Sequence, residues 1–163
     1  ELAKQLYLFK KISTSKILEN VGIGLIRALY STYVSYLPTK NFSYPISQNK
    51  DSRGSFAEIL KTPNCGQFSF FTAHPGVSRG GHYHHSKTEK FLVVKGKACF
   101  KFFQMDTKIK YELNVNSDNP EIVETVPGWS HSIVNIGEDE LIVMLWSNEI
   151  FDPNNPDTFS HQI

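Results

Sequence analysis

The chain is poor in cysteine: Cys65 and Cys99 are the two in 163 residues, distant from each other and outside any CxxC pattern. That excludes a disulfide scaffold and fits ordinary reduced thiols in a reducing compartment. Long apolar runs are missing too, since no stretch reaches the ~18 residues of a spanning helix. The start lacks the basic-then-apolar order of a secretory leader. A soluble, cytoplasmic protein with no membrane contact is expected. Charge of one sign is also lacking, with 17 Lys+Arg against 16 Asp+Glu and no basic run longer than Lys10-Lys11. A broad basic face for nucleic acid is thereby excluded, while an acidic small molecule, which needs only a few local cations, stays open. There is no repeat of fixed period and no low-complexity segment.

What is present suits a strand-rich globular protein: 40% hydrophobic and 13% aromatic residues, punctuated by Gly and Pro. The length allows one well-buried core with roughly 40 residues to spare. Because the chain begins at Glu1 rather than Met, a piece of something longer is expected. Ile26, Leu29, Tyr30, Tyr33, Val34 and Leu37 fall at i, i+3, i+4, i+7, i+8 and i+11, which predicts an amphipathic helix ended by Pro38. Such an apolar stripe needs a partner surface. Residues 38–50, with Asn, Ser, Pro and Gln, read as a lead-in, and the main unit is expected to begin near Asn49.

From Gly54 onward, β-branched and aromatic segments alternate with turn signals. Strands are predicted at Ser55–Lys61, Gln67–His74, Glu89–Val94, Lys97–Gln104, Lys108–Leu113, Glu121–Val126, His131–Ile136 and Glu140–Ser147. Ala98, Phe100 and Phe102 alternate with Lys97, Cys99 and Lys101, the period-2 pattern of a strand. Strands at this spacing without intervening helices predict an all-β antiparallel sandwich or barrel, and a jelly roll is the choice among these.

Histidines are crowded, with His82, His84 and His85 inside four residues. On an extended strand His82 and His84 share a face while His85 points away. Glu89 opens the next predicted strand and His131 a later one. Three imidazoles and a carboxylate form a borderline nitrogen/oxygen donor set for Zn²⁺, and equally for Mn²⁺, Fe²⁺ or Ni²⁺. The spacing is Gly76, five residues, His82, one, His84, four, Glu89, six, Gly96; later come Pro127-Gly128, two residues, His131, three, Asn135.

Those two segments resemble the two cupin motifs, the second with Pro-Gly in place of Pro-x-Gly. The resemblance implies a double-stranded β-helix barrel with a metal inside its mouth. Residues 51–58 (DSRGSFAE) and 77–84 (VSRGGHYH) also look like the nucleotide 4-keto-6-deoxysugar 3,5-epimerases, which are cupins too. There an Arg-Gly-x-His segment supplies the histidine that removes a proton beside the ketone, and its counterpart is His82. Those enzymes are metal-free and usually have Gln where this chain has His84, so His82 is left as base, ligand or both.

Over nearly the whole chain the sequence is similar to the bifunctional capsule-synthesis enzymes of the UDP-L-fucosamine pathway (CapF-like or WbjC-like). The likeness runs through residues 82–94 (HYHHSKTEKFLVV) and 148–158 (NEIFDPNNPDT), and residues 27–38 resemble the close of their reductase domain. It implies a helical remnant of a reductase-like (SDR) domain over residues 1–40 and a cupin barrel over 49–163. It also implies C3 epimerisation of a UDP-4-keto-6-deoxy-HexNAc sugar before a separate NADPH-dependent reduction, a divalent metal with Zn²⁺ foremost, and a homodimer.

Within that reading Arg53 and Arg79 are candidates to hold the UDP diphosphate, for which a guanidinium fork is suited. Glu58 is a candidate to orient Arg53 or a sugar hydroxyl. Tyr83 or a water is a candidate to return the proton. Lys90 is expected to point away from Glu89, Trp129 to pack in the core or flank the pocket, and His74 and His161 not to be ligands. Two other classes stay open: an Fe²⁺-dependent cupin dioxygenase, and a non-catalytic module for dimerisation or sugar binding.

Overall fold

The computed structural model describes residues 1–163. Two helices, α1 (Leu2–Ser15) and α2 (Gly24–Ser35), precede eleven strands. These are β1 (Asn49–Asp51), β2 (Gly54–Thr62), β3 (Gly66–Ala73), β4 (Ser78–Tyr83), β5 (Glu89–Lys95), β6 (Lys97–Gln104), β7 (Lys110–Asn116), β8 (Ile122–Thr125), β9 (Trp129–Asn135), β10 (Leu141–Ser147) and β11 (Phe159–Ser160). No helix is long and apolar enough to cross a membrane.

The strands form two sheets, ordered β1-β2-β3-β10-β5-β8 and β11-β4-β9-β6-β7, and every pairing between named strands is antiparallel. This is the all-β jelly roll that the strand spacing predicts. The alternation in β6 works as expected: Ala98, Phe100 and Phe102 enter a core cluster shared with Phe71, Phe91, Val93, Ile133, Leu141 and Val143. Fully burying each large apolar side chain there contributes about 1.5–3 kcal/mol. Close packing also dictates a glycine: Gly66 sits at φ +76°, and a Cβ there would lie 1.9 Å from the Ser147 carbonyl oxygen.

Three strands outside the eight predicted segments are β1, β4 and β11, of which β1 and β11 are too short to show a period. The β7 strand starts at Lys110 rather than Lys108, because a turn intervenes. The Gln104 side chain accepts hydrogen bonds from the Asp106 and Thr107 amides, and Lys108 adopts a left-handed φ of 62°.

At the N-terminus the apolar stripe of α2 finds its partner in α1, which the sequence reading did not identify. Tyr30 and Tyr33 lie against Phe9 with ring centroids 5.1 and 5.7 Å apart. α2 ends at Ser35, just short of Pro38, since the residue before a proline is disfavoured in helical conformation. The segment after α1 is tied to the barrel by a parallel bridge from Ile17 to Lys61, and by ion pairs of Glu58 with Lys61 (2.8 Å) and Lys16 (3.7 Å).

Candidate metal centre

The site is assembled by the β4, β5 and β9 strands. In β4, Gly80 and Gly81 have φ of +89° and +78°, and the register with β9 shifts between Gly80 and His82. A bulge of this kind re-aims the next side chain, and here it leaves His82 directly across from His131. Strand alternation then turns His82 and His84 inward, with ring centroids 4.9 Å apart. It turns Tyr83 and His85 outward, where both pack on Phe159. Glu89 opens β5, its amide donating to Thr125 Oγ1 at 3.0 Å.

One donor atom from each of His82, His84, Glu89 and His131 lies within 4.8 Å of every other. His84 Nε2 is 3.2 Å and His131 Nε2 3.3 Å from the same oxygen, Glu89 Oε2. His84, Glu89 and His131 are buried, and His82 is the more accessible member. The His82 ring is pulled down to a pKa of about 4, mainly by burial and then by the neighbouring His131, so it is neutral at pH 7. Burial acts to raise the Glu89 carboxyl, but the His131, His84 and Lys87 side chains beside it outweigh this and hold it well below the usual carboxylate range.

Do these residues fit a metal? His84 Nδ1 hydrogen-bonds the Asp157 carbonyl, and a carbonyl oxygen only accepts, so that nitrogen carries the proton. A neutral His84 then turns a bare Nε2 lone pair toward Glu89. His131, 1% exposed, has neither ring nitrogen in a formed hydrogen bond. Lone pairs converging on a carboxylate, with orphaned buried imidazole nitrogens, are the donor set a divalent cation satisfies, and a ligand histidine braced through its other nitrogen is usual there. The set suits zinc without excluding other borderline cations.

The bracing comes from the C-terminal tail. Asp157 accepts hydrogen bonds from the His85, Ser86 and Lys87 amides at 2.9, 2.7 and 2.8 Å and from Ser86 Oγ at 2.9 Å. Partial burial acts to raise its carboxyl, but these donors outweigh it and hold it well below the ordinary range. β11 adds Phe159 and Ser160 beside Tyr83 and His82. Nothing in the spacing of the chain signals Asp157, which lies far along the sequence from the histidines.

Two cavities meet at the cluster. One, of about 300 Å³, is lined by Arg53, Arg79, His82, Glu89 and His131. Arg79 donates to the Ser55 carbonyl at 3.3 Å and lies 5.3 Å over the Phe71 ring. Burial, then the Arg53 charge, lowers its pKa. Arg53 is paired with Asp51 at 2.6 Å. The second cavity, about 290 Å³, holds Glu58, Gln67 and Lys87 and shares Phe56, His82, Glu89 and Leu145 with the first.

The geometry corrects two expectations, those on Glu58 and Tyr83. Glu58 does not orient Arg53: Asp51 does, and Glu58 faces the second cavity with its charge spent on Lys61 and Lys16. Tyr83 lines neither cavity, because it occupies the outward position between two inward histidines. Trp129 packs against the core cluster and borders a separate groove with Phe102, Tyr111 and Val126. Lys90 points outward to Glu124, as alternation requires, and His74 and His161 stay outside the cluster. Both cysteines are free.

Residues 49–159 match the family model described as Polysaccharide biosynthesis C-terminal domain. The chain belongs to that family. It is 60% identical, over 98% of its length and 43% of the relative's, to UDP-2-acetamido-2,6-beta-L-arabino-hexul-4-ose reductase of Pseudomonas aeruginosa. It superposes on the capsular polysaccharide assembling protein CapF of Staphylococcus aureus with a TM-score of 0.95 and 42% identity, covering 99% of this chain and 44% of that one. The similarity to CapF agrees with the sequence resemblance to CapF-like enzymes. The CENP-C cupin domain of Drosophila melanogaster, at TM-score 0.50, 12% identity and 63% and 74% coverage, shows the cupin fold alone. The chain spans less than half the length of the capsule-related proteins above.

Proposed function

We propose that the barrel epimerises C3 of a UDP-4-keto-6-deoxy-HexNAc sugar in capsule or O-antigen biosynthesis, the C3 proton being removed beside the ketone. The observation carrying this reading is the junction of a four-donor histidine–glutamate cluster with a cavity bearing two arginines. Arg53 and Arg79 both line that cavity, and the Arg53 charge disfavours that of Arg79, which a bound diphosphate would offset. The ion that His84, Glu89 and His131 would hold, zinc by preference, supplies Lewis acidity for the charge that develops on the ketone oxygen.

His82 and Glu89 both line the two cavities; of these His82 is the more accessible, and its neutral ring has a lone pair to take the C3 proton. The C3–H bond breaks, its electron pair moves toward the ketone, and a proton returned to the other face completes inversion. His82 alternatively serves as the fourth donor. Residues 1–40 fit the closing helices of a reductase domain that acts next on the inverted ketone. A homodimer and a cytoplasmic setting go with this reading.

The test is incubation of the protein with zinc and the UDP-4-keto-6-deoxy sugar in D₂O, followed by NMR. Deuterium at C3 is expected; its absence with metal-loaded, folded protein overturns the proposal. The same experiment on His82→Ala separates the two roles, because a base variant loses exchange while retaining zinc. Oxygen consumption with iron instead of exchange would point to a dioxygenase.

A further inference from the structure

Lys87 has no role in the scheme above, and its surroundings are unusual. It is 8% exposed, and its ammonium lies 3.5 Å from Glu89 Oε1, the oxygen that does not face the histidines. None of its three N–H donors makes a formed hydrogen bond. The Phe151 ring is 6.0 Å away. Buried ammonium groups normally have their donors satisfied and their charge matched. Here the donors open into the cavity of about 290 Å³ that His82 and Glu89 also line. The other carboxylate of that cavity, Glu58, is already paired with two lysines. Asp157 spends its carboxylate on the amides of residues 85–87.

Glu89 is thus the one free anion facing Lys87, and it is the same carboxylate that would hold a divalent cation. With the ion in place, the one negative charge of Glu89 would face three positive ones, and the cavity would hold no other carboxylate free of an ion pair. A sugar whose ketone oxygen gains negative charge as C3–H breaks supplies that anion at the moment of reaction. A fixed cation aimed at developing charge stabilises the transition state more than the ground state.

We propose that Lys87 is a catalytic residue that donates a hydrogen bond from its ammonium to the ketone oxygen of the sugar. This rests on the epimerase reading above. No proton is transferred: the electron pair of the broken C3–H bond moves into the C3–C4 bond, and Lys87 stabilises the resulting charge on oxygen.

The experiment measures C3 deuterium exchange, KM and zinc affinity for wild type, Lys87→Met and Lys87→Arg. Exchange in Lys87→Met falls about 100-fold, the scale for losing one such donor, and the loss lies in kcat rather than KM. Zinc affinity holds or rises, since a cation beside a ligand carboxylate has been removed. Lys87→Arg, which keeps the charge, recovers part of the rate. If Lys87→Met does not fold, Lys87→Gln takes its place. Exchange within about threefold of wild type, or a loss tracking weakened zinc binding, overturns the role of Lys87. Absence of exchange in wild type instead overturns the epimerase reading itself.

Discussion

Truncating Asp157 to alanine tests the bracing of the metal centre from outside it. The substitution removes four hydrogen bonds to the 85–87 connection. A typical bond contributes about 0.5–1.5 kcal/mol net, and those at a partly open loop fall at the lower end, giving a total of about 2 kcal/mol. For a chain of this size that lowers the melting temperature by roughly 4–8 °C. The main-chain carbonyl of Asp157, which alanine keeps, is also the acceptor for His84 Nδ1; a loosened tail displaces it, and zinc binding is expected to weaken toward the roughly 10–100-fold of a lost outer partner. Thermal melts of metal-free protein and zinc competition against a chromophoric chelator measure the two effects separately. Asp157→Asn, which keeps one acceptor oxygen, lies between alanine and wild type. If Asp157→Ala melts within about 1 °C of wild type and holds zinc within about twofold, the tail is not a brace and the reasoning fails.

Glu89→Gln keeps the shape but not the charge, and is expected to weaken zinc by more than the roughly 10–100-fold of an outer-partner loss; calorimetric titration checks it. Phe100→Ala, at a site 0% exposed, costs about 3–5 kcal/mol in urea unfolding without altering the metal donors. The Asp51 carboxyl, held at about 2 chiefly by the Arg53 hydrogen bonds, is depressed, so its ion pair is intact above that value and is lost as pH falls through it. In Arg53→Ala its NMR titration midpoint rises toward the usual ~3.9.

Much of this site is legible in the sequence because strand alternation is a local rule. His82 falls on an inward position of β4 with His84 two residues on, Glu89 opens β5 in the other sheet, and the later Pro-Gly turn places His131 near the start of β9. The same rule, applied to Tyr83, would have excluded it from the cavity. Lys87 and Asp157 were missed for a different reason. Lys87 lies in an irregular connection without a period, and Asp157 acts across more than seventy residues through main-chain donors, which leave no mark in side-chain patterns. The α1 helix falls within the 1–40 helical remnant that the resemblance implies but has no reading of its own from periodicity, because its buried residues, Phe9 and Ile12, gain their meaning only against Tyr30 and Tyr33.

The direct opposition of His82 and His131 across β4 and β9 carries a temporal consequence. A growing chain exposes His82, His84 and Glu89 well before His131, and the tail that steadies His84 emerges later still. The full coordination cage therefore exists only after the sheet has zipped into register, so ion capture ends folding instead of nucleating it. Refolding rates should accordingly be indifferent to zinc concentration, while resistance to unfolding should climb with it.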